Sequence, residues 1–230
     1  MNYNILGIIP ARGGSKGVID KNIKLLNSKP LISFTIESAK KAKLITKTIV
    51  STDSSRIADI AKEYGCEVPF IRPKELATDS SLTVDVVIHC LNKMKSEGIN
   101  YDYVVVLQPT TPLRTPKLID ESINLLIDSG CDSVVSFVDV GANHPFRMYT
   151  IIDGSPIPLL NHNNDMTPRQ ELPKFYIRSG DIYAFTTDFI IKNRQLMGGD
   201  CRSIIVDSNN SINIDNENDF LLANLVISKR

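Results

Sequence analysis

A chain of 230 residues, 42% hydrophobic and 23% charged, can bury a substantial core and fits a single domain spanning 1–230. Its 26 basic and 26 acidic residues cancel, which argues against a nucleic-acid binder working through bulk charge. No apolar run approaches membrane-spanning length and no signal-peptide pattern opens the chain; the scattered Cys66, Cys90, Cys131 and Cys201, with no Cys-x-x-Cys pair, read as buried thiols of a cytoplasmic protein.

Taken in order, Ile5 to Ile9 is a short β-branched-rich run that barely alternates, so it reads as a strand buried on both faces, ended by Pro10. A loop follows with Gly13, Gly14 and Gly17 among Arg12, Lys16 and Lys21. Pro30 introduces a helical pattern over Leu31 to Ala39, and Thr48 to Ser51 is a second strand. Asp53 or Ser54 can cap a helix that stops at Gly65. Glu67 to Ile71 reads as a third strand, Leu82 to Met94 as a helix capped by Asp79 or Thr83, and Tyr103 to Leu107 as an apolar strand. A helix over Leu118 to Ile127 ends near Gly130, and Ser133 to Val138 is strand again. Strands regularly separated by helices predict an α/β fold: a three-layer, mostly parallel sheet with helices on both faces.

The rhythm breaks between Gly141 and Ser179, a stretch rich in Pro and Asn that is too long for an idle loop. An inserted segment, 141–179, that lends a surface to a partner subunit is the expectation. Afterwards Ile182 to Phe185 and Ser203 to Val206 resume strands, and Asn216 to Ile227 is the closing helix.

Chemistry is expected where ligands sit in such sheets, beyond the carboxyl ends of the strands. Glycines let backbone N–H groups crowd a ligand and three cations neutralise one, so the first loop suits a polyphosphate. It carries neither the Gly-x-x-x-x-Gly-Lys-Ser/Thr spacing nor the Gly-x-Gly-x-x-Gly spacing, and without further support it is equally an ordinary solvated turn. Near the end of the chain, Asn213 and Asp215 alternate on an extended backbone and project together. A carboxylate there could support Mg²⁺, or Asp215 and Asn216 could simply cap the closing helix.

Four phrases resemble those of the CMP-N-acylneuraminate synthetases, the sialic-acid-activating cytidylyltransferases. They are Ala11-Arg12-Gly13-Gly14-Ser15-Lys16-Gly17 with Lys21-Asn22; Arg72-Pro73-Lys74-Glu75-Leu76-Ala77-Thr78-Asp79; Leu107-Gln108-Pro109-Thr110-Thr111-Pro112-Leu113-Arg114; and Ser211-Ile212-Asn213-Ile214-Asp215. The resemblance implies a Rossmann-like nucleotidyltransferase that moves CMP from CTP to a nine-carbon 2-keto acid sugar. It implies CTP contacts from Ala11, Arg12, Gly13, Gly14, Ser15, Lys16, Lys21, Asn22, Arg72 and Ser81, with Arg72 at the base. Lys21, Arg12 and Asp215 would act at the reacting phosphate, and Asp215 with Asn213 would hold Mg²⁺. Gln108, Thr110, Arg147, Arg169 and Tyr183 would meet the sugar, and Arg114 would clamp its loop. The insertion would reach a homodimer partner's active site. Two positions depart from the family's pattern: Asn213 stands where it has Asp, and Ser179 where it has Asn. The first leaves open a single metal, a lower activity, a different sugar (legionaminic, pseudaminic or an eight-carbon keto-deoxy acid), or a nucleotide binder that has lost catalysis.

Overall fold

The computed structural model of the chain describes residues 3–160 and 167–229. Its centre is a six-stranded sheet built from β1 (Ile5–Pro10), β4 (Lys47–Ser51), β5 (Tyr103–Val106), β6 (Ser133–Asp139), β9 (Tyr176–Thr186) and β10 (Cys201–Ile205). The spatial order is β10-β6-β9-β5-β1-β4. All neighbours run parallel except β9, which is antiparallel to both β5 and β6. The continuous apolar runs explain the parallel part, since strands covered on both faces have no polar side to offer.

Helices α1 (Leu31–Lys41), α2 (Ser55–Glu63) and α4 (Pro116–Ser129) cover one face, closing a core around Ile9, Ile36, Val105 and Ile123. Helices α3 (Thr83–Ser96) and α5 (Thr187–Asn193) cover the other, around Ile8, Val87, Met94 and Phe185. Alternation along β9 sends Ile182 and Ala184 to the first core, Tyr183 and Phe185 to the second. The layered α/β expectation therefore holds. No helix among the described residues is long and apolar enough to cross a membrane.

A third, smaller core joins the glycine loop to the chain's end. Val18, Leu26 of the short ribbon β2 (Leu25–Leu26) and β3 (Lys29–Pro30), Leu31 and Ile214 pack with Phe220 and Ala223 of α6 (Glu217–Ser228). Asn216 caps α6 with a full capping box to Asp219, so Asp215 is left free of that task.

Several expectations change. Glu67 to Ile71 is not a strand but two isolated parallel bridges, Ile49 with Glu67 and Thr52 with Ile71; Pro69 between them cannot donate to a ladder. Ser54, not Asp53, caps α2, its side chain accepting from the Ile57 N–H. Helix α3 begins after Leu82 with no side-chain cap, so neither Asp79 nor Thr83 serves there. Strand β9 starts at Tyr176, inside the expected insertion, because Tyr176–Arg178 still pair with Phe137–Asp139 beyond a bulge. The insertion itself holds a hairpin, β7 (Tyr149–Ile152) and β8 (Ser155–Pro158), exposed along its length.

Candidate active site

The carboxyl ends of β1 and β5 open on a cavity of about 560 Å³, within the range of small-molecule sites. The glycine loop forms one wall, and each of its turns is tied. Ala11 N–H donates to the Ser51 carbonyl (3.0 Å), Asn22 Nδ2 to the Arg12 carbonyl (2.9 Å), and Lys21 N–H to Ser15 Oγ (3.1 Å). These bonds turn the Arg12, Lys16 and Lys21 side chains toward one space. Gly17 is required by close approach: a Cβ there would run into the carbonyl oxygen of Asp215.

The opposite wall is the segment after β4. Arg72 is buried, and that burial pushes its guanidinium below its usual range despite Asp53, whose Oδ1 lies 3.8 Å away. Its Nε meets no protein acceptor although it is shielded from water. Ser81 lines the cavity while its Oγ donates to the Glu75 carbonyl (3.0 Å). Asp79 reaches across to Arg12 (2.8 Å) and Lys16 (2.5 Å), and these two cations hold its carboxyl below the usual carboxylate range.

Gln108, Pro109 and Thr110 form the floor. Arg114 does not line the cavity. It is buried beneath, giving hydrogen bonds to the carbonyls of Gln108 and Asp181 and to the hydroxyls of Thr111 and Thr35, which is a loop clamp as expected. The last wall is the extended arm 211–215. Lys21 Nζ donates to the Ile214 carbonyl (2.8 Å) and lies 3.7 Å from Asp215 Oδ1. Asn213 Nδ2 donates to Asp215 Oδ2 (3.0 Å), so the two side chains do project together. Among the described residues no group of three or more His, Cys, Asp or Glu gathers into a metal cage. The donor set fits Mg²⁺ all the same, because that ion usually takes one or two carboxylates and completes its shell with substrate phosphates and water.

The structure thus brings together Arg12, Ser15, Lys16, Lys21, Asn22, Arg72, Ser81, Gln108, Thr110, Asn213 and Asp215. It does not bring in five others. Ala11 is buried behind the loop, bonded to β4. The Gly13 N–H is taken by Asp53 Oδ1 (3.0 Å), and Gly14 lies on the loop's outer turn, outside the lining. Tyr183 sits mid-sheet under α3, opposite Val106 and Val135, and is buried there. Arg147 lies on the insertion, donating to the Thr167 carbonyl (3.3 Å), away from this chain's own cavity. The side chain of Arg169 falls outside the described part. Sequence reasoning missed Asp79 and Gly17, which line the cavity, and Asp53, which lies behind it holding the Gly13 N–H. The excess of cations in the loop was the one available signal for Asp79.

The family model for cytidylyltransferases matches residues 6–192. The chain is 34% identical over 220 residues to a CMP-N,N'-diacetyllegionaminic acid synthase of Legionella pneumophila, covering 95% of this chain and 94% of that protein. It is 32% identical over 234 residues to an N-acylneuraminate cytidylyltransferase of Escherichia coli, covering all of this chain and 54% of that one. A flagellin modification protein B of Campylobacter coli is 32% identical over 98% of this chain and 96% of its own. In fold, a CMP:2-keto-3-deoxy-manno-octonic acid synthetase solved with CTP superposes with a TM-score of 0.75 at 15% identity, covering 98% and 99% of the two chains. With the cation loop, the buried arginine wall and the acidic arm converging on one cavity, and the family model spanning most of the chain, the protein belongs to the cytidylyltransferase family.

Proposed function

We propose that the enzyme transfers CMP from CTP to the anomeric hydroxyl of a nine-carbon 2-keto acid sugar of the N-acetylneuraminic acid type, releasing pyrophosphate. One observation carries the reading. Three cations, Arg12, Lys16 and Lys21, line the same cavity as Arg72, whose buried Nε lacks an acceptor. A triphosphate needs the first set, and the polar edge of cytosine offers the second what it lacks.

The reaction asks for position and charge more than for acid–base groups. The sugar hydroxyl gives its proton to solvent and bonds to the α-phosphorus as the bond to the bridging β-phosphate oxygen breaks and pyrophosphate leaves. Lys21, pinned by the Ile214 carbonyl beside Asp215, neutralises charge growing on the transferring phosphoryl group. Arg12 and Lys16 exchange Asp79 for phosphate oxygens. Asp215, with the neutral oxygen of Asn213, would hold Mg²⁺, which when bound supplies further charge neutralisation to the triphosphate. Gln108 and Thr110 on the floor orient the sugar. Its carboxylate suits the arginines of the insertion, Arg147 and Arg169, offered by a second copy of the chain. The exposed Tyr149, Ile151, Ile152 and Ile157 of the hairpin give that copy an apolar surface to cover, and a dimeric mass in solution tests it.

A second reading has its own support. Two relatives at 34% and 30% identity are named CMP-N,N'-diacetyllegionaminic acid synthases, so a legionaminic-type acid is the competing acceptor. Pyrophosphate release from CTP and Mg²⁺, assayed with N-acetylneuraminic, legionaminic, pseudaminic and eight-carbon keto-deoxy acids, decides between them. Release with none of these acids, despite tight CTP binding, would mark a protein that binds the nucleotide without using it. Lys21→Ala should lower turnover about a hundredfold, and near-normal turnover would refute its role.

A further inference from the structure

Beneath the cavity floor lies a buried polar cluster none of whose residues lines the cavity, though Arg114 holds the floor from below through the Gln108 carbonyl. Asp181 on β9 is fully buried, its carbonyl accepts from Arg114 Nε (2.6 Å), and its carboxylate Oδ2 accepts from Ser211 Oγ (2.7 Å). The other carboxylate oxygen, Oδ1, has no partner. Burial lowers Arg114 to about 10 and raises Asp181, each opposing the other's shift. A buried carboxylate is costly unless its charge is balanced and its oxygens are used, and a plain apolar contact would hold β9 as well. What the carboxylate does hold is the start of the arm.

Residues 211–215 belong to no strand or helix, so no ladder fixes them. Beyond the packing of Ile214 in the third core, their position depends on a few bonds: Ser211 to Asp181, Ile214 N–H to the Thr110 carbonyl (2.8 Å), Lys21 to the Ile214 carbonyl, and Asp215 N–H to Asp219 (2.9 Å). The first two both lead back to elements gripped by Arg114, which clamps the Gln108 loop and β9 together. Gly180, at φ +81°, completes the junction: a Cβ there would stand 3.0 Å from Gln108 Oε1 and 4.0 Å from Asn213 Cγ. Floor and arm meet directly above Asp181.

We infer that Asp181 and Ser211 are positioning residues: the carboxylate, balanced by Arg114, anchors the arm through the Ser211 hydroxyl and so keeps Asn213 and Asp215 in register with Lys21 and Gln108. The inference rests on the proposed reading of Asp215 as the metal-facing carboxylate. Its effect falls first on the metal, because Asn213 and Asp215 ride on the arm while Arg12, Lys16 and Arg72 do not touch the cluster; Lys21 meets the arm at the Ile214 carbonyl, a residue that Thr110 also holds through the Ile214 N–H.

The test measures Mn²⁺ affinity of the protein–CTP complex by electron paramagnetic resonance, and CTP affinity without metal by calorimetry. Ser211→Ala should weaken Mn²⁺ binding about tenfold, the scale of a lost outer-shell partner, while metal-free CTP affinity stays within about twofold of wild type. Ser211→Thr, which keeps the hydroxyl, should restore Mn²⁺ affinity. Asp181→Ala, which removes the acceptor of the Ser211 hydroxyl, should weaken Mn²⁺ binding in the wild type and add little in the Ser211→Ala background, since the two act through one bond. Equal falls in both affinities, or full additivity, would overturn the inference. So would an unchanged Mn²⁺ affinity in Ser211→Ala when Asp215→Ala weakens it. An unchanged Mn²⁺ affinity in Asp215→Ala would instead overturn the metal reading on which the inference stands.

Discussion

Gly17→Ala is the sharpest test of how the glycine loop meets the arm. The added methyl would sit far inside 3.0 Å of the Asp215 carbonyl oxygen, and the obstacle is backbone, not a side chain that can swing away. Loop and arm must therefore separate by about 1 Å. The arm is held by Thr110 and Asp181, so the exposed loop gives way, carrying the backbone that places Lys16 and Lys21. Because Gly17 is exposed, the folding cost should stay near the low end of overpacking, about 1 kcal/mol, or roughly 2–4 °C in melting temperature for a chain of this size. Catalysis should suffer far more. Displacing a charge partner by about 1 Å can cost on the order of a hundredfold, so kcat/KM for pyrophosphate release should fall by that order. Steady-state kinetics beside a thermal melt reads both. A kcat/KM within about threefold of wild type would show that the contact has no part in placing Lys21, and the reasoning would fail.

Asp79→Asn should tighten CTP binding about two- to fivefold by calorimetry, because the half-exposed carboxylate competes with phosphate for Arg12 and Lys16 in weak, solvent-screened pairs. Weaker binding would mean that Asp79 helps to hold the nucleotide. Acid should destabilise the protein through His89: burial pushes its pKa below 6.5, and its Nδ1 has no partner. The unfolded chain then takes up the proton first, so stability is intact above 6.5 and falls as pH drops below that value toward the lower native one. His89→Gln should flatten the fall of melting temperature over that window, and an unchanged slope would exclude His89 as its source. Burial also pushes the Cys66 and Cys90 thiols up to about 12, so near pH 8 neither should react with iodoacetamide in the folded protein; labelling of either, read by mass spectrometry, would contradict their burial.

How much of this was legible before the structure depends on whether the signal was local. Strands β1, β4, β5 and β6 were readable to within a residue or two, because continuous apolar runs bounded by Pro, Gly and Asp admit few alternatives. The direction of β9 was not readable. Its apolar run fits either direction, and what makes it antiparallel is the long path through the insertion that returns it to the sheet from the other end. The five residues from Glu67 failed for a local reason that was on view, since Pro69 forbids the ladder that their neighbours would support.

The site divides along the same line. A cluster of cations and glycines declares itself in one dimension, and so did the paired projection of Asn213 and Asp215. Asp79 did not, because a Thr-Asp-Ser turn is ordinary until folding sets it against Arg12 and Lys16, two loops away. That juxtaposition has a consequence for how the cavity works. Three cations converging without a ligand would repel one another and the neighbouring Arg72, and the chain's zero net charge offers no long-range relief. Asp79 supplies the relief from within the cavity, at the carboxyl oxygens' own distance from both cations. On the proposed reading, a triphosphate brings more charge than one carboxylate can and would displace Asp79 from the cations while the loop's backbone ties stay closed. On that reading the loop is already tied by its own hydrogen bonds before a nucleotide arrives, and binding would cost the displacement of one exposed aspartate.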